Sequence, residues 1–185
     1  MSDQIEVLVT LPFTEPLLQK LRSVSPRLQI NDLRVRKADE VPLETWSKVE
    51  VLYTNRVLPE IGQAPNLRWV QFHWAGVDHA VDMPLLKTPG LTATSLSGAT
   101  STQVAEYIVM MILAWGHRLP DMITHQKRGE WARDRWDRFS PRELRDSVVG
   151  IVGYGSIGRQ VARLVKPFGA PVLAAKFDAR HVDDP

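Results

Sequence analysis

The feature that most constrains this chain is the run Val148-Val149-Gly150-Ile151-Val152-Gly153-Tyr154-Gly155-Ser156-Ile157-Gly158. A β-branched strand feeds directly into G-x-G-x-x-G and then into a helix, and that context is what turns a weak motif into a dinucleotide signal. Gly153 allows a tight turn, Gly155 lets the backbone approach a pyrophosphate, and Gly158 lets the helix pack closely on the strand. The first helical N–H groups, from Tyr154 through Ser156 and Ile157, then face the anion. Along the helix, Ile157, Val161, Leu164, Val165 and Phe168 fall on one face that is expected to be buried. Gly169 ends it, and Pro171-Val172-Leu173-Ala174-Ala175 reads as a short buried strand completing a β-α-β unit.

Where a site for NAD places an acid on the ribose hydroxyls, this chain has Lys176, 18 residues after Gly158. A cation suits a 2′-phosphate, so the cofactor reading is NAD(P), leaning to NADP(H). Asp178 keeps an acidic alternative open, as does a purely solvated lysine.

The other elements follow the strand-then-helix alternation of an α/β protein. Ile5 to Val9 is a strand, and Thr14 before Glu15-Pro16 reads as the N-cap of a helix burying Leu17, Leu18, Leu21 and Val24. Further strands are expected at Leu28–Leu33, Val49–Tyr53, Leu67–Phe72 and Leu91–Leu96, spacings that fit a flavodoxin-like parallel sheet. Thr100 and Gln103 form a capping-box pattern opening a helix to about Gly116. That helix is apolar on most faces, which places it inside, between domains or between subunits, with Glu106 as a buried acid needing a partner. Residues 120–146 read as a polar, tryptophan-containing arm. The expected organisation is a flavodoxin-like substrate domain over residues 1–98, followed by the start of a Rossmann dinucleotide-binding domain over 99–185.

Composition narrows the function classes. The 185 residues are 44% apolar and 24% charged, with no cysteine, which removes disulfides, thiolate metal sites and cysteine nucleophiles. No metal site is expected. The longest apolar run, Tyr107 to Trp115, is nine residues, too short to span a bilayer, and the first residues lack the pattern of a signal peptide. The expected compartment is the cytoplasm. Of a net charge of +2, residues 126–145 hold seven Lys/Arg against four Asp/Glu. With Trp131 and Trp136 this invites a nucleic-acid reading, but the interleaved acids mark a solvated segment, and no nucleic-acid partner is expected.

Four ordered motifs then carry a resemblance. Leu67-Arg68-Trp69-Val70-Gln71-Phe72-His73-Trp74-Ala75-Gly76-Val77-Asp78-His79, Ser97-Gly98 with Val104-Ala105-Glu106, Arg142-Glu143-Leu144 and the Gly-rich strand together resemble the D-isomer-specific 2-hydroxyacid dehydrogenase family. That family includes phosphoglycerate dehydrogenases and glyoxylate or hydroxypyruvate reductases, and the match spans essentially the whole chain. The resemblance implies an oxidoreductase interconverting a small 2-oxo acid and a D-2-hydroxy acid, as a homodimer in full-length form. It implies that backbone amides of Ala75, Gly76 and Val77 hold the substrate carboxylate, which a turn after a strand can do without a cation. It implies Val104 against the nicotinamide, where core packing is the alternative role. Asp78 and His79 are expected to stabilise the loop.

Family catalysis uses a histidine, a glutamate and an arginine downstream of the second Rossmann strand. None of His73, His79, His117, His125 or His181 matches the catalytic position, so the catalytic residues are expected downstream of Pro185. The expectation is a fragment, inactive alone. The competing reading is a non-catalytic nucleotide-binding remnant or assembly partner.

Overall fold

The computed structural model describes residues 4–177, so Asp178 and His181 lie outside the described residues. The chain divides into two compact units, Met1–Ser97 and Gly98–Pro185.

In the first unit, β1 (Ile5–Val9), β2 (Leu28–Asp32), β3 (Val51–Thr54), β4 (Trp69–Phe72) and β5 (Thr92–Thr94) form one parallel sheet in the order β2-β1-β3-β4-β5. This is the flavodoxin-like order, which reverses direction between β1 and β3. Register is set by the pleat: Leu8 pairs with Leu52 and Leu52 with Val70, so all three point to one face. There they meet Val41, Trp46, Val49, Phe72 and Leu85 in the main core. Trp46, on α2 (Leu43–Lys48), is fully buried, and its indole N–H is satisfied by the Ala38 carbonyl at 3.1 Å. On the opposite face, Leu21 and Val24 border a 760 Å³ groove over Val7, Val9, Val51 and Tyr53.

Several local expectations change. Strand three starts at Val51 because Val49 is the C-cap of α2, a helix the periodicity did not suggest. Helix α1 (Glu15–Arg22) has no Thr14 side-chain cap; the Thr14 carbonyl accepts from Leu17 and Leu18 instead. It buries only Leu18, leaving Leu17 and Val24 exposed, since one apolar stripe has one surface to meet.

The second unit contains α3 (Ser101–Gly116), α4 (Leu119–Lys127), α5 (Arg135–Arg138), β6 (Val149–Val152), α6 (Ser156–Val165) and β7 (Val172–Ala175). Strands β6 and β7 pair in parallel, Val149 with Val172 through Val152 with Ala175. Its core joins Ala105 and Val109 of α3 to Val161 and Val165 of α6, closed by Leu144 and Ala170. The arm over residues 120–146 contains most of α4 and all of α5.

Here burial departs furthest from the sequence reading. Helix α3 buries Ser101, Ala105 and Val109, while Tyr107, Met110, Met111 and Trp115 are exposed, as is Glu106, which therefore needs no buried partner. The Thr100 side chain makes no cap; the Ser101 hydroxyl donates to the Gly98 carbonyl at 2.7 Å. Ile157 and Phe168 lie at the margins of the α6 face and are 39% and 44% exposed. Strand β7 is not fully buried: Val172 packs against the second core, while Leu173, which points to the other face, is 67% exposed. No helix among the described residues is long and apolar enough to cross a membrane.

Candidate functional sites

Within the second unit, the turn from β6 to α6 is built by three glycines with different jobs. Gly153 has φ +97°, in the left-handed region, and its N–H donates to the Ala175 carbonyl at 2.9 Å, continuing the ladder to the start of the turn. At Gly155, the N-cap of α6, a Cβ would meet no atom within 4 Å, so the space above the backbone is open for a ligand. At Gly158 a Cβ would collide with the Gly153 carbonyl oxygen and stand 3.1 Å from Ile151 Cγ2, so this position holds the helix against the strand.

Helix α6 has no acid in its first turn, and its leading N–H groups carry the partial positive charge of a helix start. Gly155 and Ile157 are exposed, Ser156 is half-buried, and the Tyr154 side chain is buried, which leaves the backbone of Tyr154 as the part able to meet a ligand. A Cβ on Gly98 would lie 3.9 Å from the Ser156 Cβ, so the segment entering α3 stands beside the start of α6. Sequence reasoning missed that convergence, which joins residues far apart in the chain. Val104 is half-buried on α3, and Lys176 is exposed just after β7.

Within the first unit, the loop after β4 starts with His73, whose N–H donates to the Thr54 carbonyl at 2.9 Å. Ala75 and Gly76 are exposed and Val77 is half-buried; their amides donate to no backbone carbonyl among the described residues. Three adjacent donors in an exposed turn can receive a carboxylate. The loop is braced from below, since the Val77 carbonyl accepts from Ala80 at 2.8 Å and Val81 at 3.1 Å. His79 bonds the Asn55 carbonyl at 2.9 Å through Nε2 and sits edge-on to Phe72, a bracing role.

Sequence reasoning also missed a cluster at this carboxyl edge of the sheet. Tyr53 Oη lies 2.9 Å from His73 Nδ1, and Phe13 packs on both rings with centroids at 5.2 and 5.9 Å. Burial raises the Tyr53 phenol above its ordinary pKa of 10.0. Below it, Thr10 Oγ1 donates to Thr54 Oγ1 at 2.8 Å, which also accepts the Val57 N–H, so both buried hydroxyls are satisfied. Period-two alternation places Tyr53 and His73 on the same side of neighbouring strand ends, a signal that was available.

Residues 109–184 match the family described as D-isomer specific 2-hydroxyacid dehydrogenase, NAD binding domain. Over those residues the chain carries the NAD-binding domain of that family. The chain is similar to D-3-phosphoglycerate dehydrogenase of Methanocaldococcus jannaschii, 29% identical over 178 residues covering 91% of this chain and 32% of that protein. Glyoxylate reductase/hydroxypyruvate reductase of Mus musculus is 34% identical over 128 residues, 63% of this chain and 39% of the mouse protein. The chain thus spans about a third of the length of these two curated relatives. Among solved structures, a D-isomer specific 2-hydroxyacid dehydrogenase from Xanthobacter autotrophicus Py2, in complex with NADPH and MES, shares the fold. Its TM-score is 0.73 at 22% identity, over 98% of this chain and 56% of that one. The family match makes the second unit an NAD-binding Rossmann unit by kinship as well as by geometry.

Proposed function

We propose that this chain supplies the carboxylate-binding loop and the pyrophosphate-binding turn of an NAD(P)-dependent D-2-hydroxyacid dehydrogenase, which interconverts a 2-oxo acid and a D-2-hydroxy acid. The observation that carries the reading is the Gly153–Gly158 turn: a left-handed glycine, an open Gly155, and a Gly158 that admits no Cβ. When bound, the dinucleotide supplies or accepts the hydride; the protein supplies binding and orientation. Residues 1–98 serve as the substrate domain and 99–185 as the dinucleotide domain.

In this reading Gly153 and Gly155 let the backbone close on the pyrophosphate while the N–H groups of Ser156, Ile157 and Gly158 face it. Val104 packs toward the nicotinamide side. Ala75, Gly76 and Val77 hold the substrate carboxylate through their amides. No residue of this chain is assigned the proton transfer, since none of its histidines matches the position that the family resemblance gives to the catalytic one. Lys176 favours NADP(H) by meeting a 2′-phosphate. The exposed Tyr107, Met110, Met111 and Trp115 of α3 support a homodimer, because an apolar patch of this kind on one helix calls for a second surface. The absence of cysteine agrees with a reducing cytoplasm as the compartment.

Calorimetric titration of the chain with NADPH and NADH tests the cofactor reading. NADPH is expected to bind about tenfold more tightly, K176A to erase that difference, and G155V to abolish binding of both. Unchanged affinity in G155V would falsify the turn as the binding site, and equal affinities in the unmodified chain would remove the role of Lys176.

A further inference from the structure

The carboxyl edge of the first sheet holds more than the loop at Ala75–Val77. In an open parallel sheet, ligands enter the crevice beyond the carboxyl ends of the strands where the strand order reverses. Here the order β2-β1-β3-β4-β5 reverses between β1 and β3. Phe13 follows β1, Tyr53 lies at the end of β3, and His73 follows β4 next to the carboxylate loop. These three side chains pack on one another with centroid separations of 5.2, 5.7 and 5.9 Å, so they cluster at the sheet edge where the topology calls for a crevice.

We infer that His73, oriented by Tyr53, is a second anchor for the substrate carboxylate, donating its Nε2–H to the oxygen that the loop amides leave unpaired. The inference rests on the proposed carboxylate role of that loop. Among the described residues, the Tyr53 hydroxyl bonds His73 Nδ1 at 2.9 Å. With the hydroxyl donating, Nδ1 accepts and the ring proton sits on Nε2, the nitrogen turned away from Tyr53. The main chain at His73 is fixed as well, because its amide N–H is held by the Thr54 carbonyl. Phe13 and Tyr53 restrict its rotation. An imidazole N–H held in this way is a directed donor with little freedom left to lose, and only Trp74 separates it in sequence from the first loop amide at Ala75. A carboxylate has about four acceptor sites, more than adjacent loop amides fill, so an extra donor is chemically useful. Tyr53 is the positioning residue in this pair and His73 the binding one.

Side-chain nitrogen NMR on the 185-residue chain, with glyoxylate as the probe, tests it. His73 is expected in the Nε2–H tautomer, and glyoxylate is expected to shift that resonance and the Ala75, Gly76 and Val77 amides with one Kd. H73F keeps an aromatic ring against Phe13 and is expected to weaken binding about tenfold, the effect of one charge-assisted hydrogen bond. Y53F keeps the donor but releases its orientation; the tautomers are expected to mix and Kd to rise about threefold. If glyoxylate moves the loop amides while H73F binds with the original Kd, His73 is packing alone and the inference falls with the loop reading intact. Should H73F lose amide dispersion, Y53F decides: an unchanged tautomer and Kd there overturn the pair. If the loop amides of the unmodified, folded chain do not move, the carboxylate reading fails and takes this inference with it.

Discussion

Strands β1 and β6 have nearly the same chemistry and opposite surroundings. Both are short, rich in valine and isoleucine, and lead to a turn at their carboxyl ends. Strand β1 has β2 on one side and β3 on the other, and Leu8 and Val9 are almost wholly buried. Strand β6 has one neighbour among the described residues, β7, and Val152 at its end is 96% exposed. A β-branched run therefore specifies a strand, whereas burial is specified by what lies beside it and over it. The contrast also separates the two candidate sites. The candidate carboxylate loop sits on a five-stranded sheet, and the Gly-rich turn sits on a two-stranded one, with its Gly153 N–H bonded to the Ala175 carbonyl of β7 and Gly98 beside Ser156.

The largest effect that would sharpen the comparison is expected in the first unit. W46A removes a fully buried indole, its packing on the main core and the hydrogen bond to the Ala38 carbonyl. Urea unfolding is expected to show a loss of about 4 kcal/mol. A loss near 1 kcal/mol would mean that the first unit is no better packed than the second.

Next in size is G158A, which probes whether the Gly-rich turn is as locally determined as its geometry implies. The new Cβ would strike the Gly153 carbonyl oxygen, a backbone atom that a rotamer change cannot move. The helix must shift off β6, at a cost of about 1–3 kcal/mol in urea unfolding. The shift also displaces the N–H groups proposed to meet the pyrophosphate, so NADPH affinity is expected to fall at least about tenfold. Unchanged stability with unchanged affinity would show that α6 does not depend on this close approach.

Local features were the legible ones. The β-α-β unit around Gly153, the five strands of the first sheet and their flavodoxin-like order follow from β-branched runs and the residues between them, within a few positions at each end. The family followed from four motifs in order. What escaped depends on long-range pairing. Trp46 does not announce itself as a core residue, because α2 is six residues long, too short for a helical period to show. Glu106 was misplaced because apolar neighbours in sequence on α3 are not neighbours in space; a helix buries only the stripe that meets α6. Ile157 and Phe168 failed for a related reason, each lying at the margin of a face whose width is set by the partner. The Tyr53–His73 contact joins the ends of adjacent strands, and neither residue carries a motif of its own.

The smallest expected effect tests the contrast most directly. Leu52 and Leu173 are both strand leucines in parallel pairs, facing Val70 and Gly150 across their ladders. Leu52 is 0% exposed and Leu173 67%. L52A is expected to cost about 2–5 kcal/mol, because it leaves a cavity in a closed core. L173A removes a side chain that is already largely in water, and its cost is expected to stay within about 0.5 kcal/mol. Urea unfolding of the two variants under one condition reads the difference. A loss of 2 kcal/mol or more for L173A, on the scale of a buried leucine, would mean that the β7 face is covered in solution, and the comparison between the two sheets would then be one of partners rather than of sequence.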